Sequence, residues 1–555
     1  MSAALAPASR GADPWRVRLL GPRSEIDVEG RLRGWVPLLV VTAVAGVLRF
    51  WHLGRPHQLV FDETYYVKQA YSLLLHGVER RNDGALSSPD ALFTAGTPDV
   101  FGTTGDFVVH PSVGKWMIAV GEWLFGIDSS FGWRFSAALV GTLSVLLLGR
   151  VARRLFRSTL LGVTAAVLLT FEGQHLVESR TSLLDIFLMW WVLVAFACLL
   201  IDRDQARDRL ARRLAAAGPR GTGGFGPRLG MRWWRLAAGV SLGLACGVKW
   251  SGVYVLAVFG IMTVLWDASA RRAVGIRAWP GATVERDGIG AFLVMVPVAV
   301  AVYVSTWAGW FASREGYLRQ WGAEHPASGV AGLVPDALRS LWHYHAEAYA
   351  FHVGLSSPHP YSANPWTWLV QGRPTSFFYE KKVEGQDGCL VQECSKAITS
   401  LGTPLLWWAA VLALVLVVFC WAFRRDWRAG AILAGLGACY LPWFQYQHRT
   451  IFTFYAVVFV PFVVLALTYA IGVLLGPDPR TALGGPATTD GGIPVAGLRG
   501  AAYRAAVRRR RWGAAGAGLL LVAIVACFWF FWPIWTAQVI PHADWSRRMW
   551  LPSWV

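Results

Sequence analysis

Charge is scarce in this chain. Of its 555 residues only 15% are Asp, Glu, Lys or Arg, while 55% are hydrophobic and the mean hydropathy is +0.41. That profile excludes an ordinary soluble globular protein and implies a polytopic membrane protein. Acidic residues are the scarcer sign, 34 against 52 Lys and Arg, for a formal charge of +18. Such an excess can signal nucleic acid. Here the basic residues fall in short clusters between apolar runs, as the positive-inside bias of cytoplasmic loops produces, so no nucleic-acid partner is expected. The first 34 residues have no short apolar core and no A-x-A-like site, so no cleaved signal peptide is expected and the N-terminus should stay in the cytoplasm. Internal repeats are lacking, and the paired inverted halves of many transporters are not evident. Cysteine is sparse too, with seven residues, of which only Cys389 and Cys394 fall in a segment expected to face outward. There they either close a local disulfide or stay as two thiols.

What the chain has in quantity is long apolar runs. A bilayer core needs roughly 17 to 25 residues per helix, and eleven stretches qualify or nearly so: 35–51, 132–150, 159–173, 183–201, 233–249, 252–268, 289–308, 404–423, 429–445, 451–475 and 514–533. With the N-terminus inside, the Arg clusters "RVARRLFRS", "RRAVGIR", "FRRDWR" and "RRRR" all fall on the cytoplasmic side. Residues 115–126 ("KWMIAVGEWLFG") are too short and polar to span, and their aromatic amphipathic character predicts a helix lying in the interface. The expected organisation is a cytoplasmic segment 1–34, a transmembrane module 35–308 containing an outward loop 52–131, a second outward loop 309–403, C-terminal spans 404–533 and an outward tail 534–555. The Gly-, Ala-, Arg- and Pro-rich stretches 202–232 and 476–513 read as flexible cytoplasmic linkers.

The first outward loop opens on two adjacent carboxylates, Asp62 and Glu63 in "VFDETYYVKQAYSLL". Helix capping by Asp62 explains such a pair in general. This loop also carries Tyr66, His110, Lys115 and, at the mouth of the second span, Arg134, so carboxylates, an imidazole and cations share one membrane face. Charge at a span entrance is expensive enough to suggest use. Neighbouring residues on a helix point about 100° apart, which suits neither glycoside hydrolysis nor any reaction needing two opposed carboxyl groups. A sugar on a phosphate needs no acid, because phosphate leaves once cations hold its charge. One base and a cationic cradle suffice, as in a transferase that uses a lipid-phosphate sugar.

The strings "FDETYYVKQAYSLL", "HPSVGKWMIAVGEWLFG", "FGWRF", "ESRTSLLDIFLMWW", "GVKWSG", "WHYHAEAYAFHVGLSSPHPYSANPWTWLVQGRPTSFFYE" and "LPWFQYQHRTIFTFY" closely resemble actinobacterial protein O-mannosyltransferases, bacterial relatives of the eukaryotic PMT enzymes with the GT-C membrane fold. The resemblance covers most of the chain. It implies an all-α polytopic fold of eleven spans and inverting transfer of mannose from polyprenyl-phosphate mannose to Ser or Thr of exported proteins. The site would lie at the outer face of the cytoplasmic membrane, where acceptors would be met as they leave the secretion translocon. Beyond the lipid-linked donor no cofactor and no metal is implied. Asp62 would be the base and Glu63 would orient it or support the acceptor. Arg134 is the first choice for the donor phosphate. Lys115 is a weaker candidate, since the family often has a second proline where this chain has Ser112. Lys249 either reaches the phosphate or snorkels, and Arg449 either binds it or anchors the interface. Arg180 and Asp185 either pair with each other or join the site.

In the second outward loop His343, His345, His352 and His359 invite a zinc reading. The spacing His343-x-His345 is strand-like and no tetrahedral set completes it, so an acceptor or headgroup surface that includes His345 and His110 is expected instead. Trp366, Trp368 and Arg373 should pack at the interface. Two other functions compete: another GT-C transferase with a lipid or glycan acceptor, which shares the same reaction centre, and a transporter, which would place its ionisable residues near the midplane.

Overall fold

The computed structural model describes residues 14–21, 31–476 and 496–555. Residues 1–13, 22–30 and 477–495, which include much of the expected N-terminal segment and of the second linker, lie outside the described residues. Each of the eleven apolar stretches forms a helix. The elements that place the site are α1 (Arg31–Phe50), α2 (Glu63–His76), α3 (Val113–Phe125), α4 (Ser130–Phe156), α5 (Thr159–Thr170), α6 (Gly173–Glu178), α7 (Asp185–Ala217), α8 (Trp233–Val248), α9 (Gly252–Ala273), α10 (Ile289–Ser305), α11 (Asp336–Gly354), α12 (Pro404–Ala422), α13 (Trp427–Tyr440), α14 (Val460–Leu475) and α15 (Ala496–Trp535). Among the described residues eight helices are long and apolar enough to cross a membrane, while Thr159–Thr170 and Trp233–Val248 are shorter. The stretch expected at 429–445 is also short, because α13 ends at Tyr440 and passes into a 3-10 turn over Leu441–Tyr446.

Two small antiparallel sheets pack against the helices. β1 (Arg80–Asn82) pairs with β2 (Phe101–Gly105), and β3 (Thr375–Val383) pairs with β4 (Glu393–Ser400), which pairs in turn with β5 (Val539–Pro541). Cys389 and Cys394 are joined at the turn of the β3–β4 hairpin.

The expected linkers are more ordered than their composition suggests. Helix α7 runs on to Ala217, and Arg232 and Arg235, at the start of α8, lock onto Asp202 of α7 and Asp267 of α9 at 2.5–3.4 Å. From Ala496 the chain is already helical. Ala and Arg are strong helix formers, and that preference outweighs the glycines.

Helix α3 is amphipathic, as its sequence predicts: Lys115, Ile118 and Glu122 are buried, while Trp116, Val120 and Trp123 are exposed. It packs closely against the start of α4 because glycines meet there. A Cβ on Gly132 would stand 1.9 Å from the Gly126 carbonyl oxygen, and one on Gly121 would stand 2.3 Å from that of Gly132. This close approach sets the position of Arg134, two residues along α4.

Candidate active site

Asp62 sits at the N-cap of α2 but makes no capping hydrogen bond with its side chain. Among the described residues its carboxylate accepts no hydrogen bond and forms no ion pair. Phe61, just before it, has φ of 50°, a left-handed conformation that bulky residues rarely adopt. Packing holds it there: the Phe61 ring stacks on Phe377 of β3 at 4.8 Å and meets Phe454 edge-on at 5.5 Å. The second outward loop thus braces the backbone that aims Asp62. Burial pushes the Asp62 carboxyl up to about 6, with Asp185 adding to the rise and Lys249 opposing it. A carboxylate that is uncommitted, half-buried and raised is suited to accept a proton.

Glu63 is committed. Its Oε1 accepts from Arg134 Nε at 2.8 Å and from the Ser182 backbone N–H at 2.9 Å, and its Oε2 accepts from Arg134 Nη2 at 2.8 Å and from the Val60 N–H at 3.0 Å. Arg134 spends its remaining donors on the carbonyls of Leu53, Pro56 and Gln58, and it is 1% exposed. A guanidinium has five N–H donors, and here every one is used. The expectation that Arg134 binds the donor phosphate is therefore corrected, and Arg134 is a clamp on Glu63. Lys115 is corrected as well, because it is buried and paired away from the cavity that Lys249 lines. It is fully buried, its Nζ lies 2.5 Å from Glu79 Oε1, and it donates to the His110 carbonyl at 2.9 Å.

Arg180 and Asp185 do not pair. Arg180 donates to the carbonyls of Leu48, Arg49 and Trp51, which closes the C-terminal end of α1, where backbone acceptors lack helical partners. Asp185, at the start of α7, instead receives Lys249 Nζ at 2.7 Å. Lys249 follows α8 in the tight turn to α9 and stands 5.1 Å from the Tyr455 ring centre.

Lys249 lines a cavity of about 890 Å³. His110, His352 and Arg449 share its polar end, and Val253, Leu256, Val296, Val300, Tyr349 and Trp443 are among the apolar side chains that make up its walls, between α9, α10, α11 and the turn after α13. His352 donates from Nε2 to the Val109 carbonyl at 2.8 Å, which leaves Nδ1 to accept from Arg449 Nη2 at 3.2 Å. Arg449 Nε is buried with no hydrogen-bond partner among the described residues. Burial, reinforced by the neighbouring cations, holds His110 well below the ordinary imidazole range and His352 at about 4. Both rings are neutral at pH 7. Tyr66 lies 6.2 Å from the His110 ring, and burial, with the Asp62 and Asp185 carboxylates adding to it, pushes its hydroxyl well above the ordinary phenol range.

His345 lies on the cavity wall, but both ring nitrogens are occupied, one by the Leu341 carbonyl and one by the Tyr303 hydroxyl, which also receives Trp250 Nε1. His343 and His345 are on a helix, not a strand, and residues two apart on a helix diverge by about 200°. His343 accordingly stacks on Trp321, and His359 lies by Phe452. Among the described residues no three His, Cys, Asp or Glu side chains gather as metal ligands would. His352 was missed as a site residue, although its seven-residue spacing from His345 puts both on one helix face. Trp366 is exposed while Trp368 is buried beside Trp443, and Arg373 binds the carbonyls of Pro360 and Ser553. Ser112 donates to the Thr306 carbonyl at 3.0 Å and ties the His110 turn to the end of α10.

The comparisons with known proteins agree with one another. The family model described as dolichyl-phosphate-mannose-protein mannosyltransferase matches residues 39–217 and 225–312, and that of the C-terminal four-TMM region of protein-O-mannosyltransferase matches residues 337–471. The polyprenol-phosphate-mannose--protein mannosyltransferase of Mycolicibacterium smegmatis is 38% identical over 94% of this chain and 93% of its own length. Its namesake in Corynebacterium glutamicum is 32% identical over 93% and 91%. In fold the chain is similar to the S. cerevisiae protein O-mannosyltransferase Pmt1-Pmt2 complex bound to the sugar donor, with a TM-score of 0.66 at 13% identity over 95% of this chain and 93% of that one. The chain belongs to the dolichyl-phosphate-mannose-protein mannosyltransferase family, and its fold is that of a polytopic GT-C membrane protein.

Proposed function

We propose that this protein transfers mannose from polyprenyl-phosphate mannose to Ser or Thr hydroxyls of exported proteins, with inversion at C1, on the outer face of the cytoplasmic membrane. The observation that carries this reading is the contrast between two adjacent carboxylates. Asp62 is open and raised, whereas Glu63 is locked by Arg134. Asp62 takes the acceptor proton as the hydroxyl oxygen attacks C1. The bond from C1 to the phosphate oxygen breaks, and polyprenyl phosphate leaves carrying its own electron pair. Arg449, through its unpartnered Nε, and Lys249 hold the charge that develops on the phosphate. The neutral His110 faces the sugar or the phosphate as a hydrogen-bonding group, His352 holds Arg449 in place through Nδ1, and the apolar walls of the cavity accommodate the first isoprene units. Glu63 and Arg134 act through Asp62 as positioning residues.

The test uses membranes supplied with labelled polyprenyl-phosphate mannose and a Ser/Thr-rich exported peptide. Wild type should label the peptide. Asp62→Asn should bind donor normally and lose roughly 100- to 10,000-fold in transfer. A wild-type rate in a well-inserted Asp62→Asn protein refutes the base. Label appearing in lipid or glycan, with none in peptide, shifts the reading to another acceptor class.

A further inference from the structure

Glu178, the last residue of α6, is fully buried and forms no ion pair among the described residues. Its one hydrogen bond is long, 3.4 Å from the Ser400 hydroxyl to Oε1, and Oε2 has no partner among the described residues. Two other buried oxygens nearby are in the same condition, Gln174 Oε1 and Thr375 Oγ1. Gln174 stands four residues before Glu178, on the same face of α6. Thr375 lies directly opposite Ser400 in the β3–β4 ladder. The two are also linked from behind: Gln174 Nε2 donates to the Thr453 carbonyl at 2.8 Å, and the Thr453 hydroxyl donates to the carbonyl of Arg373, two residues before Thr375. A polar seam thus runs between α6 and the sheet.

The seam backs onto the turn that carries Asp62. Val177 and Phe377 share an apolar cluster with Val60, and Phe61 packs against it. Just past α6 the chain delivers the Ser182 N–H to Glu63. The cation that acts on Glu178 is Lys249, which is already bound to Asp185. An ionised Glu178 would be a buried charge with no counter-ion and one long hydrogen bond, and taking up a proton costs less. Burial, with Asp185 and Asp62 adding to it and Lys249 and Ser400 opposing it, holds the Glu178 carboxyl well above the ordinary range. In the neutral acid Oε1 is the carbonyl that accepts from Ser400, and Oε2 carries a hydrogen. Buried polar atoms left over by the protein are bridged by ordered water, which takes roughly two to four polar partners. Glu178, Gln174 and Thr375 are such partners. We propose that Glu178 is a positioning residue for Asp62: it keeps its proton and, through water in this seam, presents a hydrogen-bond donor to the Asp62 carboxylate. Such a donor favours the ionised base and offsets part of what burial costs it. The proposal rests on the reading of Asp62 as the base.

The test has two parts, and the first does not depend on turnover. Infrared difference spectra between wild type and Glu178→Gln at pH 7 should show the loss of one protonated carboxylic acid. Loss of an ionised carboxylate overturns the proposal. The second part is the pH dependence of transfer, whose acid limb reports Asp62. Glu178→Gln keeps a neutral donor and should keep the limb in place. Glu178→Met keeps the length but loses the donor, and should move the limb to higher pH by about one unit. If Glu178→Met does not insert, Thr375→Val, which keeps the shape and removes a partner of the water, should move the limb the same way by a smaller amount. A limb that stays in place in the Met and Val variants that insert, whatever their rate, makes Glu178 a packing residue and overturns the proposal. So does a limb that moves to lower pH in Glu178→Gln, the mark of a lost negative charge. An acid limb that persists in Asp62→Asn strikes the base itself, and this proposal with it.

Discussion

Glu63 receives Nε and Nη2 of Arg134 on its two oxygens, each at 2.8 Å, in a place where neither side chain is more than 1% exposed. The pair joins the first turn of α2 to the first turns of α4, and the Ser182 N–H adds the approach to α7. Three segments from distant parts of the sequence therefore fix the residue that follows Asp62. A bidentate fork between planar groups also fixes angle as well as distance, so the direction of the Asp62 side chain is inherited from it.

Breaking that fork should damage the fold and the turnover while leaving donor affinity alone. Arg134→Lys retains the charge but cannot present five donors in a plane. Leaving a buried ion without its partner typically costs about 3 to 5 kcal/mol. The expected result for Arg134→Lys and Glu63→Gln is a lower unfolding temperature and lower kcat, with the KM for donor near wild type. A large rise in donor KM with an unchanged unfolding temperature would return Arg134 to the phosphate site.

Arg449 should behave in the opposite way. Its Nε has no partner among the described residues, so its removal deprives the donor rather than the fold. A charge-assisted hydrogen bond contributes about 1.5 to 3 kcal/mol, and Arg449→Met should raise donor KM roughly 10- to 100-fold with little change in unfolding temperature. His352→Ala should give a smaller rise, since it orients Arg449 through Nδ1 and does not carry the charge. Steady-state kinetics with varied donor separates these outcomes.

The apolar runs made the helices legible, and the crowding of Asp62, His110 and Lys249 on one face followed from their places at span ends. The partners were not legible. Arg134 and Lys115 look like free cations in the sequence, and only the tertiary fold brings Glu63 and Glu79 against them. Carbonyl groups take up most of Arg134 and Arg180, and backbone acceptors have no sequence signature. His343-x-His345 failed as a strand because a two-residue spacing alone cannot reveal a helix of nineteen residues. The aromatic brace on Phe61 unites residues from three segments and has no local pattern to detect.

The orientation can be tested through cysteine labelling from outside intact cells. The five unpaired cysteines are buried, so background labelling should be low. Ser87→Cys and Arg547→Cys should react with an impermeant maleimide, and Ala216→Cys should react only after the membrane is opened, because that register alone places the Arg clusters inside. Reaction of Ala216→Cys in intact cells reverses the topology and moves Asp62 to the cytoplasm.

Asp62 itself should leave a signature in both rate and stability. With its carboxyl raised to about 6, transfer should fall about tenfold per pH unit below 6, because only the ionised form can take the acceptor proton. Lys249 lowers that value, so Lys249→Met should move the acid limb to higher pH. The stability effect has the opposite sense. The folded state holds the Asp62 proton more tightly than the unfolded chain, whose value is near 3.8, so stability falls as pH rises from about 4 to about 6. Converted at 1.36 kcal/mol per unit, the loss is about 3 kcal/mol at most. Asn never ionises and escapes it. Asp62→Asn should therefore be inactive yet unfold at a higher temperature than wild type at pH 7, with the difference vanishing near pH 4. If the variant instead unfolds earlier at pH 7, Asp62 is holding the fold together and is not being held ready as a base.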